Sequence, residues 1–165
     1  MTYGRIAIVT GGAGALGGAV TARLLGEGAR VVVPLELAAH GDALRAGIAS
    51  EAGDRLSTEV VDVTDLDAMT RFTDATVKRH GRVDILVAIV GGFAGGAVIE
   101  TDRATWDRML ALNLTATFVA ARAVVPHMVK AGRGRVVTIG SRAAVPPGPG
   151  IIAYTTAKAG VIAFT

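Results

Sequence analysis

A chain of 165 residues with a net charge of only +3 and arginines scattered singly is one domain in size and lacks the basic stripe that nucleic acid requires. Half of its residues are hydrophobic and 4% aromatic, so the core is built from Val, Ile, Leu and Ala, as in a parallel sheet covered on both faces. The absence of cysteine excludes disulfides, thiolate metal sites and a cysteine nucleophile, and accords with a cytoplasmic setting.

Ile6 to Val9 reads as a buried strand emptying into Thr10-Gly11-Gly12-Ala13-Gly14-Ala15-Leu16-Gly17, and Ala19 to Leu25 reads as a helix. Gly12, Gly14 and Gly17 satisfy G-x-G-x-x-G with the strand before and the helix after that a dinucleotide turn requires. Such a turn offers unpaired N–H groups and a partial positive charge to a pyrophosphate. The alternative is a turn that only packs helix on strand.

A second strand follows at Ala29 to Val33, a helix at His40 to Ala52, and a third strand at Leu56 to Val61 that ends at Asp62-Val63. Thr64 or Asp65 caps the next helix, which stops near His80-Gly81. Val83 to Val90 is the fourth strand. The glycine-rich stretch Gly91 to Gly96 after it either lines a cofactor or is a simple loop.

Asp102 to Leu110 reads as a short helix and Asn113 to Lys130 as a longer one, apolar on most faces and so in need of cover from a partner subunit as well as the sheet. Arg135 to Ile139 is the fifth strand. A loop rich in Pro and Gly leads to a last helix that starts near Ile151. Strands alternating with helices specify an α/β, doubly wound, Rossmann-like parallel sheet over a single domain, residues 1–165, with ligand at the carboxyl ends of the strands. Two stretches, Val83 to Ile99 and Leu112 to Val129, approach membrane-spanning length, but Asp84, Asn113, Arg122, Pro126 and His127 interrupt them. They read as buried strand and buried helix, with no membrane partner.

Tyr154 and Lys158 stand four apart on the last helix and share one face, where an ammonium stabilises a phenolate and brings the tyrosine toward a useful range for proton transfer. Ser141 follows the fifth strand at the same edge. Glu36, nineteen residues past Gly17, is placed to take ribose hydroxyls and repel a 2′-phosphate, or else is a solvated surface residue. His40, His80 and His127 show no metal spacing, and no metal site is expected.

With these motifs in order, the chain resembles the short-chain dehydrogenase/reductase family, in its single-domain branch, along its whole length. Thr10-Gly11-x-x-x-Ala15-Leu16-Gly17 is similar to the family's cofactor loop, Asp62-Val63 to its adenine-contacting pair, Asp84 to Val87 to its fourth strand, and Asn113 to its helix asparagine. Ser141, Tyr154 and Lys158 match its catalytic serine, tyrosine and lysine. The resemblance implies an NAD(P)-dependent oxidoreductase that interconverts a secondary alcohol and a ketone. Tyr154 would be the acid/base, Lys158 would lower its pKa and bind the nicotinamide ribose, Ser141 would orient the carbonyl, and Asn113 would position a relay water.

Cofactor contacts are expected from Gly11, Gly14, Ala15, Leu16, Gly17, Glu36, Asp62, Val63, Gly91, Tyr154 and Lys158, with NAD preferred to NADP. A homo-oligomer through the helix from Asn113 is expected. Read without the family, Asn113 is a helix cap and Ser141 a strand-end hydroxyl. The competing function is a catalytically inactive nucleotide-binding or scaffolding protein of the same fold.

Three departures stand out. Ala15 occupies the family's middle glycine, and Ala88-Ile89-Val90-Gly91 stands in place of Asn-Asn-Ala-Gly. The chain also stops soon after Lys158, where the family continues through two more strands, so the sequence reads as part of a longer enzyme.

Overall fold

Alternation along the central strand decides how the layers form. In β1 (Ile6–Thr10) every residue is buried, with Ala7 and Val9 directed to one face and Ile8 to the other. The computed structural model describes residues 2–48 and 50–165. β1 pairs in parallel with β2 (Arg30–Leu35) on one side and β4 (Ile85–Ala88) on the other, in the registers Ile8↔Val32 and Ile8↔Leu86. β3 (Leu56–Val60) and β5 (Arg135–Thr138) complete a five-stranded parallel sheet in the order β3-β2-β1-β4-β5. The order reverses between β1 and β4, which opens a crevice at their carboxyl ends.

Helices cover both faces. α1 (Ala15–Gly26) and α2 (Ala38–Ala46) bring Leu25 and Leu44 against Ala7, Val9, Val31 and Val33. On the other face α3 (Leu66–His80) and α5 (Ala116–Lys130) pack Met69, Phe72, Val119 and Val124 against Ile8 and Leu86. α4 (Arg103–Leu110) and α6 (Ile152–Phe164) lie against each other. Burying these side chains is worth about 1.5–3 kcal/mol each and supplies most of the driving force.

The ends of the elements follow their local chemistry. Asp65 caps α3 by accepting the Ala68 N–H at 2.9 Å, and Gly81 ends that helix at φ +81°. Several expected boundaries move. α1 begins at Ala15 rather than Ala19, because Gly14 takes the extended N-cap conformation. The helix expected over His40 to Ala52 stops at Ala46, where Gly47 caps it, and Ser50–Arg55 forms a 3-10 turn; Ala49 lies outside the described residues. β2 extends to Leu35 and β5 ends at Thr138. β4 is shorter than Val83 to Val90, since its ladder with β1 ends at Thr10↔Ala88, after which Gly11 turns β1 away.

The two helices expected at Asp102 to Leu110 and Asn113 to Lys130 form one continuous run, α4 and α5 joined by a π-helical segment, Ala111–Thr115. The run Arg103–Lys130 is long and apolar enough to cross a membrane, yet half of its most apolar window is buried inside the fold.

At the amino ends of the strands a single carboxylate ties the sheet together. Asp84, its side chain 1% exposed, accepts the Ile6 N–H at 2.9 Å and the Arg82 Nε–H at 2.8 Å, with Arg5 and Arg133 at 3.4 and 3.5 Å. Burial alone raises such a carboxyl, but these bonds outweigh it and hold Asp84 below the usual carboxylate range.

Candidate active site

At two positions of the glycine turn after β1 a side chain would run into backbone. Gly11 has φ +70°, and a Cβ there would stand 2.9 Å from the Val90 nitrogen. A Cβ on Gly17 would land on the Gly11 carbonyl oxygen, so the first turn of α1 closes onto β1 only with hydrogen at that position. Gly14, included in the G-x-G-x-x-G spacing, has φ −75° and only a 3.4 Å contact, so its glycine is not required by the fold. No side chain caps α1. Its first N–H groups and partial positive charge therefore face the crevice, as an anion needs. Ala15, at the first helical position, is exposed and adopts an ordinary backbone conformation.

The crevice is an open groove of about 1090 Å³ lined by Gly11, Gly14, Ala15, Leu16, Gly17, Glu36, Asp62, Val63 and Gly91. These are the expected cofactor residues apart from Tyr154 and Lys158, which do not line it. Asp62 is fixed as an acceptor there: the Thr64 hydroxyl and N–H donate to its Oδ1 at 2.6 and 2.8 Å and hold its carboxyl below the usual range. Two groove residues escaped the sequence reading. His40, at the start of α2, and Arg108, on α4, bring basic side chains to the wall, and no motif marks them because only the packing of distant elements places them.

A second group gathers where α6 meets the π segment. α6 sets Tyr154 and Lys158 one turn apart. Lys158 is buried, donates to the Ile139 carbonyl at 2.7 Å, and has its pKa pushed below the ordinary lysine value by burial. Asn113 is 1% exposed; its Oδ1 accepts the Gly92 N–H at 3.3 Å and its Nδ2 donates to the carbonyls of Gly92 and Met109, each at 3.0 Å. It sits inside the helical run and is therefore not a helix cap. Asn113 braces the backbone after β4, where Ile89 and Val90 lack an amide.

Gly91 joins the two groups. A Cβ on it would stand 2.7 Å from Asn113 Oδ1 and 3.5 Å from Lys158 Nζ, so backbone, amide and ammonium meet at the groove's edge. Ser141, half-buried, accepts the Ala143 N–H on its Oγ at 3.2 Å. Tyr154, also half-buried, meets the ring of Phe93 edge-on, centroids 5.2 Å apart at 69°. Gly91 is the only residue of the Gly91 to Gly96 stretch that lines the groove. Among the described residues no cluster of three or more His, Cys, Asp or Glu is arranged to hold a metal.

A sequence model described as short chain dehydrogenase matches residues 5–165. The chain belongs to the short chain dehydrogenase family. Among its relatives in the family is a 2-dehydro-3-deoxy-L-rhamnonate dehydrogenase (NAD(+)) from a Sphingomonas strain, 38% identical over 98% of this chain and 64% of the relative. The structure of an NAD+-bound xylitol dehydrogenase superimposes with a TM-score of 0.93 at 30% identity, covering 99% of this chain and 63% of that one. A metagenomic short-chain oxidoreductase in complex with NADP gives 0.89 at 33% identity, covering 99% and 74%. The chain thus spans a little under two thirds of the length of the first two family members.

An uncapped helix N-terminus, the hydrogen-only closure at Gly17 and a groove bounded by Asp62 and Glu36 suit a dinucleotide, in keeping with these nicotinamide-binding neighbours.

Proposed function

We propose that this oxidoreductase interconverts a secondary alcohol and a ketone, with Tyr154 as proton donor and acceptor. The observation that carries the reading is the meeting of Lys158, Asn113 and Gly91 at the end of the groove, with Tyr154 on the helix face of Lys158. A nicotinamide bound in the groove supplies the hydride. In the reducing direction the Tyr154 hydroxyl gives its proton to the substrate oxygen, and the Lys158 ammonium stabilises the phenolate left behind. Its bond to the Ile139 carbonyl fixes Lys158 in place. The Ser141 hydroxyl orients the carbonyl, and Asn113 holds the Gly91-Gly92 backbone that separates cofactor groove from substrate site.

Glu36 favours NAD, since its carboxylate repels a 2′-phosphate, while His40 in the same wall narrows that preference. The exposed Phe118, Val125 and Val129 on α5 suit a homo-oligomeric contact, and a cytoplasmic enzyme without membrane or nucleic-acid partners is the corresponding setting.

Replacing Tyr154 with Phe tests the mechanism. Turnover of a ketone panel falls by about 10²–10⁴-fold, with cofactor affinity unchanged by titration. Turnover retained in Tyr154→Phe refutes the assignment; cofactor binding by the unaltered protein without any hydride transfer favours an inactive nucleotide-binding protein.

A further inference from the structure

We infer that the substrate is an uncharged ketone or carbinol bearing an aryl or branched alkyl group, and that Phe93 is the residue that receives that group. The inference rests on Tyr154 being the acid/base, because it is the Tyr154 hydroxyl that locates the reacting oxygen.

Phe93 is 66% exposed on the loop after β4, yet its ring is held edge-on to Tyr154. Aromatic rings interact at centroid separations of about 4.5–7 Å, so a ring attached to a carbonyl on the Tyr154 hydroxyl falls within reach of Phe93. A large apolar side chain left in water at such a point gains most when a ligand covers it.

The two loops beside this ring pair are poor in polar side chains. Residues 91–99 and 143–153 consist only of Gly, Ala, Val, Ile, Pro and Phe93, with no charged or hydrogen-bonding side chain between them. The two stretches are stapled together: the Gly96 N–H donates to the Gly150 carbonyl at 2.7 Å, and the Ile152 N–H donates to the Gly96 carbonyl at 3.2 Å. Within the second stretch the Gly148 N–H is bonded to the Ala143 carbonyl. Glu100, just past the first stretch, is engaged in turn by the Ala97 N–H at 2.9 Å. With no polar side chain in either stretch, a polyol, a carboxylate or a phosphate ester finds no side-chain partner there, and its polar atoms would exchange water for main-chain contacts alone. An apolar group loses nothing there.

The test is a titration of the protein with the reduced nicotinamide present, which cannot accept a hydride from an alcohol, using 1-phenylethanol and butane-2,3-diol as probes and ligand-observed NMR to read dissociation constants. The protein binds 1-phenylethanol at least about tenfold more tightly than the diol; Phe93→Ala removes most of that ratio, and Phe93→Leu, which keeps an apolar side chain, retains part of it. A ratio near one in the unaltered protein, including failure to bind either alcohol, overturns the inference, as does an unchanged ratio in Phe93→Ala. Binding is read without turnover, so a wrong acid/base shows itself in the Tyr154→Phe kinetics and a wrong substrate class in these affinities.

Discussion

The two ends of the sheet are held by different physics. At the carboxyl ends the turn after β1 closes by backbone lying on backbone, with hydrogen at Gly17 where any side chain would collide with Gly11. At the amino ends one buried carboxylate, Asp84, gathers the start of β1, the approach to β4 and the approach to β5. The difference follows from what each end must leave open. A ligand groove cannot be filled with side chains, so the turn after β1 takes its rigidity from glycine sterics, whereas an end without that groove can be tied by charge.

Substitutions separate the two. Gly17→Ala has the largest effect, a loss of about 3 kcal/mol or more in stability by denaturant unfolding together with loss of cofactor binding, because a backbone clash is relieved only by moving α1. Asp84→Asn costs about 2 kcal/mol by weakening a buried bond to Ile6 and removing the charge that three arginines face. The two differ in pH dependence. The folded-state pKa of Asp84 is lowered, so its stabilisation is complete above the unfolded value of about 4 and disappears as pH falls through the folded value. Acid unfolding profiles of the parent and of Gly17→Ala therefore share that acid limb, and Asp84→Asn lacks its share of it.

Gly91→Ala is smaller, about 1–2 kcal/mol, since its methyl meets the Asn113 amide rather than backbone; its signature is a loss of turnover that exceeds the loss of stability. Gly14→Ala sits at the bottom, within about 0.5 kcal/mol of the parent in thermal unfolding, given its ordinary φ and lack of close neighbours.

Much of this architecture is legible in the residues. An unbroken apolar run marked β1 as buried, Asp65 and Gly81 bracketed α3, and the strand–glycine–helix order located the groove. Spacing misplaced emphasis at Gly14, because a pattern counts glycines and sterics weigh them one by one. Gly47 is a helix stop that the apolar pattern through Ala52 obscured. The presence of His40 and Arg108 in the groove and the Phe93–Tyr154 contact have no periodic signal. They depend on long-range geometry, the last of them on the pairing of Gly96 with Ile151. Asn113 was found by resemblance, but its grip on Gly92 appears only once the π segment is seen.

That π segment is an extra beat in a helix that otherwise keeps one rhythm. The Ala116 N–H reaches back five residues to the Ala111 carbonyl, so the run from Arg103 to Lys130 holds one residue more than an α-helix of its length would need. Deleting one residue between Ala111 and Thr115 restores α-helical hydrogen bonding with α4 and α5 still in phase, and removes the wide turn that carries Asn113. The inserted residue is thus a gear tooth: α4 and α5 keep one phase while the wide turn carries Asn113 toward the loop after β4.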